Sequence, residues 1–158
     1  MRKFIYSLFA VLALSCTFVS CSDDDGDAPA PAGNPAEAAA GTYTGTWTIV
    51  VDGDTATAPG TVILAPGDTA FVAKLTLASD EYKVKVGSGT STRKLNAEEV
   101  TNIAFAGNSK SFSLSNAAGK IGNFAGKITD GAVKFYYSST EKVGRKAYNF
   151  NYRFESNN

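Results

Sequence analysis

The stretch Gly41-Thr42-Tyr43-Thr44-Gly45-Thr46-Trp47-Thr48-Ile49-Val50-Val51 decides the fold class. Tyr43, Trp47, Ile49 and Val51 share one parity, Thr42, Thr44, Thr46 and Thr48 share the other, and Gly45 leaves a gap between the two aromatics. A repeat of two is the signature of a strand with one face turned to a core. Asp52-Gly53 follows at once. A tight turn between twisted strands needs positive φ, which Asp and Gly tolerate, so this dipeptide predicts a hairpin.

Downstream, short runs rich in Thr, Val, Ile, Phe and Tyr are divided by turn residues at intervals near ten, which is an all-β rhythm. Asp130-Gly131 is a second strong hairpin signal. The breaks leave nine strands, at about 42–51, 55–65, 69–78, 81–87, 100–106, 110–115, 120–129, 132–139 and 145–155. Asn96-Ala97-Glu98-Glu99 reads as a helical turn, with Asn96 as cap and Glu99 completing the box. Inward faces follow from alternation. Phe71, Ala73, Leu75 and Leu77 align, as do Tyr82, Val84 and Val86, and Tyr148, Phe150, Tyr152 and Phe154. One-sided strands with short connections suit an antiparallel sheet that closes into an eight- to nine-stranded barrel, or two such layers packed as a β-sandwich.

Upstream, the composition changes. Residues 28–40 read Ala-Pro-Ala-Pro-Ala-Gly-Asn-Pro-Ala-Glu-Ala-Ala-Ala, a linker with no branched or aromatic anchor, of which Pro35 to Ala40 is read as one helical turn entering the domain. Before it stands an acidic run, Ser22-Asp23-Asp24-Asp25-Gly26-Asp27, and before that Cys21. The chain opens on Met1-Arg2-Lys3 and an apolar run from Phe4 to Val19, the charged and apolar regions of a secretory signal, too short to read as a membrane span. Val19 and Ser20 precede Cys21 at the polar edge of this run, whereas Cys16 lies inside it. Cleavage before Cys21 with lipid on that cysteine is therefore expected. The chain divides into a signal peptide (1–20), a lipidated cysteine with tag and linker (21–40) and one β domain (41–158).

The acidic run directly behind Cys21 resembles the surface-export tag of Bacteroidetes-type lipoproteins. That resemblance implies an outer-membrane lipoprotein facing outward. Gly45-Thr46-Trp47 in the first strand resembles the opening motif of the calycins, the superfamily that contains the lipocalins. It implies an eight-stranded barrel whose Trp plugs one end, covered by an Arg from the last strand, here Arg153. The parity of Arg153, between Tyr152 and Phe154, turns it outward unless a bulge shifts the register.

Removing the first 20 of 158 residues leaves 138, enough for one domain with a real core. Its single cysteine carries the lipid, so no disulfide is expected. The acids lead: eight of the 15 precede Lys74, the first base after the signal, and from there 13 basic residues face seven acidic ones. An acidic tether thus joins a mildly basic domain.

The chain contains no histidine. With the one mature cysteine lipidated, this removes Ser-His-Asp and Cys-His catalysis and the usual zinc sites. Adjacent carboxylates Asp80-Glu81 and Glu98-Glu99 would point to opposite faces, and Asp52 and Asp54 flank a turn. No enzyme, no metal and no cofactor is expected. Nucleic acid is not an expected partner either, because the short basic pairs Arg93-Lys94 and Arg145-Lys146 make no concentrated face.

What remains is binding. The leading expectation is a small apolar or aromatic ligand in a barrel cavity lined by some of Tyr43, Trp47, Phe71, Tyr82, Phe105, Phe124, Tyr148 and Tyr152. Phe135-Tyr136-Tyr137 must show rings on both sides of a strand, and Tyr136, on the outer side, is a candidate contact for a sugar or a protein. The alternative is a solid-core interaction module: an inhibitor, an adhesin or a subunit of an envelope complex.

Overall fold

The structure, a computed structural model, describes residues 33–116 and 123–157. Cys16, Cys21, the acidic run and the signal lie outside the described residues, as do residues 120–122 of the expected seventh strand. In chain order the elements are α1 (Pro35–Ala38), β1 (Gly41–Val51), β2 (Asp54–Pro66), β3 (Val72–Ser79), β4 (Tyr82–Val86), β5 (Gly89–Arg93), β6 (Asn96–Ala106), β7 (Asn108–Asn116), β8 (Phe124–Thr129), β9 (Ala132–Val143) and β10 (Lys146–Ser156).

Eight strands close into an antiparallel barrel in the order β1-β10-β9-β8-β7-β6-β3-β2, which leaves its wall without a free edge. The ring is a meander with one excursion. β3 pairs with β6, and the intervening β4 and β5 form a separate two-stranded hairpin. Both strong hairpin signals hold: Asp52 and Gly53 take φ of 51° and 87°, and Asp130 and Gly131 take 50° and 86°. The β1 alternation holds as well, with Trp47, Ile49 and Val51 fully buried and the threonines of the other parity on the outer face.

Three local expectations are corrected. Asn96-Ala97-Glu98-Glu99 is not a helical turn but the start of β6, because these residues pair with Ala78, Leu77, Thr76 and Leu75 of β3. A ladder on both sides of β6 outweighs one capping box. The expected barrel strand at 81–87 lies outside the ring, paired with β5, which was not expected. Phe71 does not continue the inward row of Ala73, Leu75 and Leu77. Hydrogen bonds from Gly67 N to Val72 O (2.8 Å) and from Val72 N to Thr69 O (3.1 Å) fold it into the β2–β3 turn, and it is 63% exposed.

The ends of the barrel are covered by different elements. α1, capped by Asn34 and started by Pro35, sits at the end holding the β2–β3 turn. Ala36 and Ala39 are buried, Ala36 N donates to Ala70 O, and the Tyr43 hydroxyl donates to Ala39 O at 2.7 Å. The packed unit therefore takes in α1, upstream of Gly41. At the other end, the β4–β5 hairpin turns Tyr82, Val84 and Val86 into the core, and Leu95 closes its stem. Ser79 clasps that stem: its N donates to Leu95 O, and its hydroxyl accepts from Leu95 N at 2.9 Å.

Candidate functional site

Side chains fill the bore of the barrel. All eight ring strands contribute to one buried cluster, joined by α1 and the hairpin. Register places the bulkiest together. Phe154, Tyr152 and Phe150 of β10 stand beside Trp47, Ile49 and Val51 of β1, and on their other side Phe154 and Tyr152 neighbour Phe135 and Tyr137 of β9. The Trp47 ring meets Phe154 at 5.0 Å and makes edge contacts with Tyr152 at 6.2 Å and Phe135 at 6.3 Å. Phe124 stacks on Phe135 at 5.8 Å. Such pairs add stabilisation beyond their buried area, about 0.5–1.5 kcal/mol each.

Trp47 lies across β2 above Gly60, and its indole Nε1–H donates to Ala78 O on β3 at 2.9 Å. Arg153 does not cover it. β10 carries no bulge in its pairing, so parity puts Arg153 on the outer wall between Thr48 and Tyr136. Aromatic rings and a backbone carbonyl surround Trp47 instead.

The hairpin seals its end of the bore with polar contacts as well as apolar ones. The Tyr82 and Tyr152 hydroxyls share a hydrogen bond at 3.2 Å. The Arg93 guanidinium lies 4.6 Å above the Phe150 ring and pairs with Glu141, and Lys85 N donates to Asp54 at 2.5 Å. Burial pushes the Tyr152 phenol far above the ordinary tyrosine range, helped by its bond to Tyr82, and raises Tyr82, Tyr137 and Tyr43 as well. All four are therefore neutral near pH 7, and none offers a phenolate as base or nucleophile.

Of the candidate residues, Trp47, Tyr82, Phe124 and Tyr152 are buried in the filled bore, while Tyr43, Phe105 and Tyr148 are half-buried toward its ends. Phe71 and Tyr136 are outside, and Tyr136 lies in a concave place. A cleft of about 610 Å³ opens on the outer wall over β7 to β10. Its lining includes Tyr136, Lys127, Lys134 and Arg153 together with the small residues Ala125, Gly126 and Ala132. The Tyr136 hydroxyl donates to Asn151 at 2.8 Å, which fixes the ring against the wall.

Sequence reasoning found Tyr136 from the parity of three consecutive aromatics. It missed the cations around it. Parity alone turns Lys127, Lys134 and Arg153 outward, but their adjacency comes from the β8–β9–β10 register, where Lys127 faces Lys134 and Arg153 faces Tyr136. The carboxylates do not gather. Asp52 lies 3.8 Å from Lys146, Asp54 is bonded to Lys85 N, and among the described residues no three acids, cysteines or histidines are placed to hold a metal. Comparison with known proteins returned no matching family model, no matching curated protein and no matching solved structure.

Proposed function

We propose that this is a lipid-anchored protein of the cell envelope, tethered through Cys21, whose barrel is a solid scaffold and whose outer cleft around Tyr136 is its binding surface. One observation carries the choice of surface. The bore is packed with its own aromatic side chains, and the cleft at Tyr136, of a size typical of small-ligand sites, is larger than the cleft of about 390 Å³ beside α1 that Tyr43, Phe112 and Ile128 line. A ligand in the bore would have to displace Tyr82, Val84 and Val86 of the hairpin, each under 7% exposed.

The anchor rests on Met1 to Cys21 and the acidic run after it. A Cys21→Ser variant is expected to leave the membrane fraction; retention with Cys16 intact would move the anchor to Cys16. The binding surface is tested by native mass spectrometry of the mature chain against a panel of lipids and aromatic metabolites. A bound species should be lost in Tyr136→Ala and kept in Tyr152→Phe. The reverse pattern would assign binding to the bore.

A further inference from the structure

We propose that the outer cleft takes a small anionic amphiphile, a molecule with an apolar body and one sulfonate-, carboxylate- or phosphate-type group. This rests on the reading of the cleft as the binding surface and adds the chemistry of its ligand. The cleft is lined mainly by apolar groups, among them Ala125, Gly126, Ala132, Phe135 and Phe154. Its charged side chains are mostly cationic. Lys127 and Lys134 are direct cross-strand partners on β8 and β9, and Arg153 stands one strand further on.

Like charges directly opposite one another destabilise a sheet. Only one acid in the cleft relieves them: Glu155, 3.5 Å from Lys134, with both side chains more than 70% exposed and therefore weakly coupled. Lys127 and Arg153 have no carboxylate partner among the described residues. Three cations against one acid leave a positive excess in a cleft whose lining is largely apolar. Packing at this place costs stability rather than adding to it, a conflict expected where a surface serves binding. An anionic head among these cations with an apolar body against the apolar lining and the Tyr136 ring satisfies both features at once.

The test uses two fluorescent probes with the same rings, 8-anilinonaphthalene-1-sulfonate and the uncharged N-phenyl-1-naphthylamine, added to the mature chain carrying Cys21→Ser. The sulfonate should bind at least tenfold more tightly than the neutral probe at low ionic strength and lose this advantage in 0.5 M salt. A Lys127→Gln/Arg153→Gln variant should weaken the sulfonate at least tenfold and the neutral probe less than twofold. Ala125→Leu, which adds bulk to the lining beside Tyr136, should abolish both, with the circular dichroism spectrum and urea midpoint confirming that each variant folds. Equal binding of the two probes, or a sulfonate affinity unchanged in the charge variant, overturns the proposal. If the neutral probe binds as well as the sulfonate and is lost in Tyr136→Ala, the ligand class is wrong and the site stands. If neither probe binds and Tyr136→Ala changes nothing in the mass spectra, both readings fall.

Discussion

Gly60→Ala is expected to destabilise the barrel although it replaces glycine within a strand. On propensity alone the change should be favourable, since alanine leaves the unfolded chain less conformational freedom to lose, a gain of about 0.4–1 kcal/mol. The structure reverses the sign. Gly60 lies in β2 beneath the Trp47 ring, and a Cβ there would stand 2.5 Å from Trp47 Cδ1 and closer still to the carbonyl oxygen of Ala78. Carbon atoms settle at about 3.5–4.0 Å, so the indole must retreat by roughly 1 Å. Trp47 is fully buried among Phe135, Tyr152 and Phe154, and retreat breaks its hydrogen bond to Ala78. Overpacking costs about 1–3 kcal/mol, and a buried indole N–H left unpaired about 1–3 kcal/mol more. Net of the backbone gain, the loss is about 3 kcal/mol, a fall in Tm of roughly 10 °C for a domain of this size.

Trp47 is the sole tryptophan, so its fluorescence reports unfolding in urea directly. Gly41→Ala is the control: the nearest atoms to its added Cβ are those of Tyr43 at 3.9 Å, and its midpoint should stay within about 0.5 kcal/mol of the parent. A Gly60→Ala protein as stable as the parent, with unchanged Trp47 emission, would refute the packing account.

Two further perturbations probe the covered end of the bore. The Tyr152 phenol is neutral in the folded chain and held above its ordinary value of 10.0, first by burial and then by its bond to Tyr82. Its contribution is therefore intact below about pH 10 and lost as pH rises beyond it, at about 1.4 kcal/mol per pH unit. Urea midpoints should be level from pH 8 to 9.5 and fall above 10, less steeply in Tyr152→Phe; equal slopes would show that this phenol ionises freely in the folded state. Arg93→Leu removes the pair with Glu141 and the stacking on Phe150. The Arg93 Nε is buried with no hydrogen-bond partner, which offsets part of what the residue contributes, so the loss should be only about 1 kcal/mol. Proteolysis should then appear at the Gly87–Gly89 tip, and an unchanged digestion pattern would show that the apolar contacts of Tyr82, Val84 and Val86 alone hold the hairpin.

Much of the fold was legible because alternation is a local property. Successive side chains of a strand point to opposite faces whatever the strand pairs with, so Trp47, Ile49 and Val51, or Phe150, Tyr152 and Phe154, declare their inward face in any all-β arrangement. The hairpins at Asp52-Gly53 and Asp130-Gly131 were legible for the same reason, since positive φ is a property of one or two residues. Phe71 shows the limit of this argument. Its parity matches Ala73, Leu75 and Leu77, but the hydrogen bonds of Val72 to Gly67 and Thr69 draw it into the β2–β3 turn, where its side chain is exposed.

The sequence by itself determined the all-β class, the positions of its sharp turns, which residues of most strands face the core, and the outward side of Tyr136. It also carries the Cys21 segment, which lies outside the described residues. Only the tertiary structure decided that β3 reaches past a hairpin to pair with β6, that Asn96 to Glu99 extend rather than coil, and that the bore is full. The tertiary structure also set Lys127 against Lys134 beside Arg153 and Tyr136. Periodicity is written residue by residue, but strand order, register and filled volume are sums over contacts between residues far apart in the chain, and no short window contains them.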